Sequence, residues 1–134
     1  MKENAKYGIE KTKYLLDTDV LINHLSKKRD TLNKLSEKEN ISISLSVLNK
    51  FELFRGIDDI KDKDTADDVI RYFDVYPVSE LIADRASELA KLKNIPAGPV
   101  DILIAATCIE NNLILVTENI KHFKNIPGLV IYKE

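Results

Sequence analysis

The chain has little of what marks secreted, disulfide-stabilised or membrane-spanning proteins. Its 134 residues include one cysteine, no tryptophan, four glycines and four prolines. The single thiol, Cys108, excludes an internal disulfide, so we expect a reducing compartment. The longest apolar runs, such as Ile102–Ala106, are far too short to span a bilayer. These absences predict a soluble, cytoplasmic protein without a membrane partner.

Neither sign of charge predominates in the sequence. The chain has 20 Lys and Arg residues against 22 Asp and Glu residues, which gives a net charge of −2. Such a balance argues against binding to nucleic acid through the overall field of the protein. It does not exclude a nuclease, because a local basic rim and bound metal cations can attract a polyanion.

Segments of strand-like and helix-like pattern alternate along the chain. Residues 1–12 show no sustained periodicity, and we interpret them as a loosely ordered lead-in to a single domain of residues 13–134. Strands are predicted at Tyr14–Leu16, Ile41–Leu45, Val75–Val78, Leu113–Val116 and Leu129–Tyr132. Helices between the strands imply right-handed crossovers. The pattern therefore predicts an α/β fold, a three-layer α/β/α sandwich around a mostly parallel sheet of four to five strands.

Two helices are predicted after the second strand, one from charged and apolar residues between positions 58 and 73 and one from the proline at position 99. Residues 58–68 are rich in Asp and Lys and are interpreted as a solvated loop or the start of a helix. The apolar face of the helix that follows is expected to consist of Val69, Ile70 and Phe73. Pro99 takes the first position of a later helix, where its missing N–H costs nothing.

Acidic, hydroxyl and amide side chains follow the predicted strands at their carboxyl ends, where open α/β sheets bind ligands. In chain order they are Asp17, Thr18 and Asp19 after the first strand, Glu52 on the helix after the second, Asp101 at the start of the Pro99 helix, and Thr117, Glu118 and Asn119 after the fourth. Closely spaced carboxylates repel one another unless a hard cation neutralises them, and Mg²⁺ or Mn²⁺ takes such oxygen ligands. A metal bound there would activate water for an in-line phosphodiester displacement.

Each candidate residue also has a purely structural interpretation. Asp17 could only cap the helix after it, and Asp101 could only interact with the dipole of its helix. Glu52 could be a solvated charge, His122 a surface or loop-packing residue, and Cys108 a buried filler. Chemistry is indicated by the acids as a group, because they come from separate elements of the predicted sheet.

Three sequence strings carry a family resemblance. They are LLDTDVLI at residues 15–22, SLSVLNKFELFRG at 44–56 and GPVDILIAATCIENNLILVTENIKHFKNIPGL at 98–129. They resemble the motifs of PIN-domain proteins, in particular the VapC-type toxins of toxin–antitoxin pairs, and the resemblance extends over residues 13–134. It implies a PIN-like fold and a metal-dependent endoribonuclease that cleaves RNA with Mg²⁺, or with Mn²⁺. It also implies a cognate VapB-type antitoxin and a homodimer.

The acids of the PIN-domain cluster correspond to three residues of this chain. The resemblance implies that Asp17 and Asp101 are direct metal ligands and that Glu52 is a ligand or a base acting through water. The fourth position corresponds to Asn119, where many relatives have Asp and others have Asn. A neutral amide binds Mg²⁺ less strongly than a carboxylate, so a lower metal affinity is expected.

Four neighbouring residues are expected to support the cluster. Asp19 or Glu118 would compensate for a neutral fourth position. Thr18 and Thr117 would donate hydrogen bonds to the carboxylates, and helix capping is the alternative role for both.

Two other functions fit parts of the same pattern. LLDTDVL resembles the D-x-D motif of haloacid-dehalogenase-type phosphatases, but that family requires a Thr where this chain has Leu21. The second alternative is a catalytically silent PIN module that only binds RNA or antitoxin, which the neutral Asn119 leaves open. Metal-dependent cleavage of a mixed RNA pool would separate an enzyme from such a module.

Two helices carry more apolar side chains than one buried stripe requires. Leu21 and Leu25 after the first strand, with Leu53 and Phe54 after the second, are predicted to line a groove for an antitoxin helix or tail. The alternative is that these side chains complete the core or a homodimer interface.

Overall fold

The computed structural model describes residues 10–26 and 31–133 of the chain. The strands are β1 (Thr12–Leu16), β2 (Ile41–Ser46), β3 (Asp74–Tyr76), β4 (Ile114–Val116) and β5 (Val130–Ile131). The helices are α1 (Thr18–Leu25), α2 (Thr31–Ser36), α3 (Val47–Arg55), α4 (Ile60–Ile70), α5 (Glu80–Ala90), α6 (Pro99–Asn111) and α7 (Ile120–Phe123). Within these two ranges, no helix combines the length and the apolar character needed to cross a membrane.

Neighbouring strands of the sheet are all parallel, and their order is β3-β2-β1-β4-β5. In the central strand, Leu15 is in register with Ser44 of β2 on one side and with Leu115 of β4 on the other. The chain moves outward from β1 to β3 and then crosses to the opposite side of β1 for β4 and β5. Such a reversal opens a crevice at the carboxyl ends of the two strands beside it. A ligand site is therefore expected at the ends of β1 and β4.

Apolar clusters on the two faces of the sheet separate the helices into two layers. Leu15 and Leu115 belong to a cluster that also contains residues of α5 and α6. Tyr14, Leu16 and Val116 belong to a second cluster, which contains residues of α1, α2, α3 and α4. This alternation of neighbouring residues is the geometry of strands that are buried on both faces. It confirms the predicted three-layer α/β/α sandwich.

Helix α4 begins within residues 58–68, so the structure confirms the interpretation of this segment as the start of a helix. Asp59 caps it, with its carboxylate accepting a hydrogen bond from a backbone N–H of the first turn at 2.9 Å. The expected apolar face is confirmed in part, because Ile70 is buried and Val69 and Phe73 pack against the same apolar cluster, although Phe73 lies beyond the end of α4. Only Ala66 and Ile70 of this helix are buried. So narrow a stripe is hard to recognise among charged residues.

The expected lead-in is described only in part, since residues 1–9 lie outside the described ranges. Thr12 already belongs to β1, and its N–H donates to the carbonyl of Asn40 at 3.0 Å. The Asn40 amide nitrogen in turn donates to the carbonyl of Glu10 at 3.2 Å. The described end of the lead-in is therefore attached to the turn that precedes β2.

Candidate active site

Asp17 lies at the end of the central strand and caps α1. Its backbone N–H donates to the carbonyl of Val116 at 2.8 Å, which joins the end of β1 to the end of β4. Its carboxylate accepts from the N–H of Thr18 at 2.9 Å and from the hydroxyl of Thr117 at 2.8 Å. The residue is 5% exposed. Asp17 therefore caps a helix and also contacts the loop after β4.

Burial raises the pKa of Asp17 from 3.8 to about 6. Hydrogen bonds from Thr117 and Thr18 oppose this rise, whereas the negative charges of Asp101 and Asp19 add to it. A carboxylate that is both buried and close to like charges is poorly stabilised as an anion. A cation bound beside Asp17 would offset that penalty.

Glu52 is held by a chain of hydrogen bonds that reaches into the protein interior. The Thr18 hydroxyl donates to Oε1 of Glu52 at 2.6 Å and accepts from the amide nitrogen of Asn49 at 3.0 Å. Oδ1 of Asn49 accepts from the N–H of Ser46, the residue that caps α3, at 2.7 Å. Asn49 is fully buried. The Glu52 carboxylate is thus oriented by buried partners, and the interpretation as a merely solvated charge was wrong.

Asp101 enters from the other helical layer, in the first turn of α6. Burial raises the pKa of Asp101, His122 lowers it, and the negative charges of Glu52 and Asp19 raise it further. Nδ1 of His122 lies 3.5 Å from Oδ2 of Asp101. Asp17, Asp19, Glu52 and Asp101 thus lie near enough for some of their charges to affect one another, and they are called the acidic cluster.

The loop between β4 and α7 is joined to α1 by two side-chain hydrogen bonds. The amide nitrogen of Asn119 donates to Oδ2 of Asp19 at 2.6 Å, and that of Asn23 donates to Oε1 of Glu118. The backbone N–H of Asn119 donates to the hydroxyl oxygen of Thr117 at 2.9 Å. Thr117 and Asn119 therefore contact the acidic cluster directly, whereas Glu118 interacts with the side of α1.

The side chains of the acidic cluster offer carboxylate oxygens, the ligand type that Mg²⁺ prefers. Among the residues that the structure describes, no three acidic, His or Cys side chains lie close enough to hold a metal ion by themselves. Mg²⁺ usually keeps several waters and is bound through one or two carboxylates. A hydrated magnesium ion would need only one or two of these carboxylate oxygens.

A groove of about 370 Å³ lies between α1, α3 and α4, next to the acidic cluster. Its wall is mainly apolar and includes Ile22 and Leu25 of α1. Two carboxylates, Glu52 and Asp62, also line it. The combination suits a segment that presents apolar side chains together with a positive charge.

Two of the four residues that apolar patterning predicted for a groove line this one. Leu25 and Leu53 line it, whereas Leu21 is wholly buried in the core and Phe54 lies outside its lining. Periodicity identifies a wide apolar face on a helix. It does not tell which edge of that face meets the sheet and which edge remains accessible.

Two residues that hold side chains of the site, and the contact made by a third, were not predicted from the sequence. Asn49 holds Thr18, and Asn23 holds Glu118. His122 is half-exposed, as expected, and its ring also contacts Asp101. Asn49 was detectable in principle, because it stands three residues before Glu52 on the same helical face and three after the capping Ser46.

Comparisons with known proteins agree with this geometry. A family model of the PIN domain matches residues 14–129. Ribonuclease VapC1 from Methanocaldococcus jannaschii is 30% identical, over 98% of this chain and 95% of the relative. A chain in the crystal structure of VapBC2 from Rickettsia felis, bound to a DNA fragment from their promoter, superposes with a TM-score of 0.81 at 28% identity, covering 90% of this chain and 98% of that chain. A chain of a toxin–antitoxin complex from Klebsiella pneumoniae gives 0.75 at 26% identity, with 90% and 99% covered. The resemblance drawn from the three sequence strings is confirmed.

Proposed function

Because the chain belongs to the PIN-domain family, we propose that it is a Mg²⁺-dependent endoribonuclease and the toxin of a VapBC-type pair, acting in the cytoplasm. The observation that carries the proposal is that Thr18 hydrogen-bonds both Asp17 and Glu52 where β1 ends beside β4, with Asp101 near enough for its charge to raise the pKa of Asp17. RNA is the proposed substrate because the relative from M. jannaschii is a ribonuclease. Mn²⁺ is the alternative metal, since it takes the same oxygen ligands.

Each residue of the acidic cluster has a role in this proposal. Asp17 and Asp101 would hold the metal, which when bound offsets the repulsion among the carboxylates and stabilises charge on the scissile phosphate. The hydrogen bonds to Asp17 occupy one lone pair on each carboxylate oxygen, so each oxygen keeps a second one for a ligand. Glu52, oriented by the Thr18 hydroxyl, acts as the base that takes a proton from the attacking water.

Removal of either proposed metal ligand tests the enzyme assignment. Asp17→Asn and Asp101→Asn should each lower the cleavage of a mixed RNA pool by at least about a hundredfold, as expected for loss of a group that acts on the reacting atoms. Asp84→Asn, which changes an exposed carboxylate on α5, is the matched control and should cleave at the wild-type rate. Cleavage is followed on gels with MgCl₂ and with EDTA, and folding by circular dichroism.

Several outcomes would contradict the proposal. Wild-type cleavage by Asp17→Asn or Asp101→Asn would show that the assigned cluster is wrong. Cleavage that persists in EDTA would remove the metal from the mechanism. A wild-type chain that binds its antitoxin but never cleaves RNA would instead be the catalytically silent module.

The groove beside Glu52 is the proposed docking site for a VapB-type antitoxin. Its apolar wall and its two carboxylates fit a segment that carries apolar and basic side chains. A basic side chain in the groove would lie next to Glu52 and would compete with metal or RNA. The R. felis structure, a VapBC2 complex, supports an antitoxin as the partner.

Charge introduced into the groove should block the antitoxin. Ile22→Glu and Leu25→Glu should weaken binding of the protein encoded by the neighbouring reading frame by at least about tenfold, as expected when a buried apolar contact at an interface is lost. Tyr72→Glu, at a side chain that is 87% exposed and outside the groove lining, serves as the control. Pull-down and calorimetry measure binding, and unchanged affinity of both folded groove variants would exclude this surface.

A further inference from the structure

An open pocket of about 500 Å³ lies between α7 and the loop that joins α5 to α6. Lys121 and Lys124 are its two charged residues, and both are exposed. The rest of its lining consists of Asn94, Ile95, Pro96 and Asn125. Among the residues that the structure describes, no carboxylate lines this lysine pocket. It is therefore a local positive site on a protein with a net charge of −2.

The backbone around the lysine pocket is fixed from the protein interior. Phe123 and Ile126 flank Lys124 and belong to the apolar cluster of α5 and α6, where they are 1% and 4% exposed. The amide nitrogen of Asn125 donates to the carbonyl of Asn94 at 3.3 Å, which joins the two walls of the pocket. The pocket therefore has a defined backbone shape before any ligand binds.

Helix α7 also connects the lysine pocket with the acidic cluster. His122, whose Nδ1 lies 3.5 Å from Oδ2 of Asp101, follows Lys121 directly in the sequence. Consecutive Cα atoms are about 3.8 Å apart, so the pocket begins one residue from a contact with a proposed metal ligand. The groove proposed for the antitoxin lies in the other helical layer, between α1, α3 and α4.

The alternative is that Lys121 and Lys124 are only solvated surface charges. A lysine with that role commonly pairs with a nearby acid. Within residues 10–26 and 31–133, however, no ion pair involves either lysine. Both also line one concave surface. Two cations in this arrangement are available to bind the same anionic ligand.

We propose that the lysine pocket binds a backbone phosphate of the RNA strand at a distance from the bond that is cut. Nucleic acid carries a negative charge at every nucleotide, so a strand whose scissile phosphate lies at the acidic cluster presents further phosphates beside it. No aromatic side chain of the described residues lines the pocket for stacking on a base. Its contacts therefore position the strand without reading its sequence. This inference rests on the proposed function, because it takes RNA as the substrate.

RNA binding without metal tests the proposal. The fluorescence anisotropy of a labelled single-stranded RNA of mixed sequence is measured in EDTA, so that metal-dependent cleavage does not interfere. Lys121→Gln and Lys124→Gln should each weaken binding a few-fold, and the double variant about tenfold, because each lysine neutralises a phosphate. Lys13→Gln is the matched control, since it removes an exposed charge at the end of β1 opposite Asp17, and it should bind RNA like the wild type.

The salt dependence of binding shows whether the lysines contact phosphate. Each phosphate neutralised on a single strand contributes about −0.7 to the slope of log affinity against log salt concentration. Measured between about 50 and about 200 mM KCl, the slope should be flatter by about 0.7 for each single variant and unchanged for Lys13→Gln. Weaker binding with the wild-type slope would mean that the lysines only shape the pocket, and it would overturn the proposal.

A free anion and the antitoxin are the other ligands that this test must distinguish. Inorganic phosphate at constant ionic strength should not displace the RNA, because one contact among several supplies only part of the affinity. Displacement from the wild type but not from the double variant would identify a site for free phosphate. The double variant should also bind the antitoxin like the wild type in pull-downs. Loss of antitoxin binding with RNA binding unchanged would make the pocket part of the antitoxin surface. Either result would overturn the proposal.

The remaining outcomes separate this inference from the proposed function. RNA affinity of the double variant that equals that of Lys13→Gln would overturn the phosphate site and leave the nuclease assignment standing. Lysine-dependent binding by a wild-type chain that never cleaves RNA would overturn the nuclease assignment and leave the phosphate site standing. Failure of the wild type to bind RNA would overturn both. Circular dichroism confirms that each variant is folded before binding is measured.

Discussion

Within the acidic cluster, the carboxylates of Asp17 and Glu52 are held differently from that of Asp101. Asp17 is 5% exposed and accepts two hydrogen bonds of 2.9 Å or less. Glu52 accepts from the Thr18 hydroxyl at 2.6 Å, and that hydroxyl is buried. Asp101 has a side chain that is 27% exposed, and its contact with the half-exposed His122 is 3.5 Å long. One side of the site is fixed from the protein interior, whereas the other borders solvent.

The difference indicates how the two sides would respond to a ligand. Buried hydrogen-bond networks hold a carboxylate in one orientation before any ligand arrives, and their loss leaves buried polar groups unsatisfied. A long, exposed contact can be rearranged at little cost, since water replaces it readily. We therefore expect changes on the Asp17 side to affect both stability and activity, and changes on the Asp101 side to affect activity alone.

The largest expected effect on stability concerns the charge of Asp17. Its pKa is raised from 3.8 to about 6 in the folded chain, so the folded state holds the proton more tightly than the unfolded state. The stability that the Asp17 proton contributes is therefore fully present below about pH 4 and is lost as pH rises through about 6. Between about pH 4 and pH 7 the metal-free wild type should lose about 2 kcal/mol relative to Asp17→Asn, which has no such proton to release.

Urea unfolding in EDTA, repeated across that pH range, measures this loss. Parallel stability curves for the wild type and Asp17→Asn would show that burial of this carboxylate carries no charge penalty. Adding Mn²⁺ at pH 7 should restore stability to the wild type and have little effect on the variant. Asp84→Asn should follow the wild type under both conditions.

A smaller effect is expected from breaking the chain that orients Glu52. Thr18→Val keeps the shape of the side chain but leaves the buried amide nitrogen of Asn49 without its acceptor. Such a loss should lower the free energy of unfolding by roughly 1–2 kcal/mol. RNA cleavage should fall about tenfold or more, because Glu52 loses the hydroxyl that orients it.

Two control variants test whether the effects of Thr18→Val come from losing this particular hydroxyl or from replacing any threonine by valine. Thr18→Ser retains a hydroxyl and should recover most of the lost stability and activity. Thr65→Val removes an exposed hydroxyl that donates to a carbonyl on α4, and its effect should stay within about 0.5 kcal/mol. If Thr18→Val cleaved RNA at the wild-type rate, Glu52 would not depend on Thr18.

The sequence predicts the sheet well because the relevant signals are local. Strands buried on both faces are apolar runs, and the crevice at the ends of β1 and β4 follows from strand order. These rules suffice to bring Asp17 and Thr117 together. Helix α4 was harder to predict than the strands, because only Ala66 and Ile70 are buried among its many charged residues.

The partners of the site residues are much harder to predict from sequence. The pairing of Asn119 with Asp19 depends on how a loop and a helix 100 residues apart approach each other. The burial of Leu21 and the accessibility of Leu25 depend on the rotation of α1 about its axis, which apolar spacing leaves undetermined. The hydroxyl donors Thr18 and Thr117 were thus predicted from sequence, whereas the amides of Asn49 and Asn23 were not.

The smallest expected effect concerns the exposed side of the cluster. His122→Ala removes the group that lowers the pKa of Asp101, while burial, the largest cause, continues to raise it. The pKa of Asp101 should therefore rise further, and the acid limb of the pH–rate profile should move to higher pH. At pH 8 cleavage should fall only a few-fold, as expected for loss of a solvent-exposed contact. His122→Asn offers a neutral donor near the position of Nδ1 and should recover the rate at pH 8 but not the acid limb. A loss of stability in His122→Ala comparable to that of Thr18→Val would mean that the Asp101 side is as firmly held as the Asp17 side.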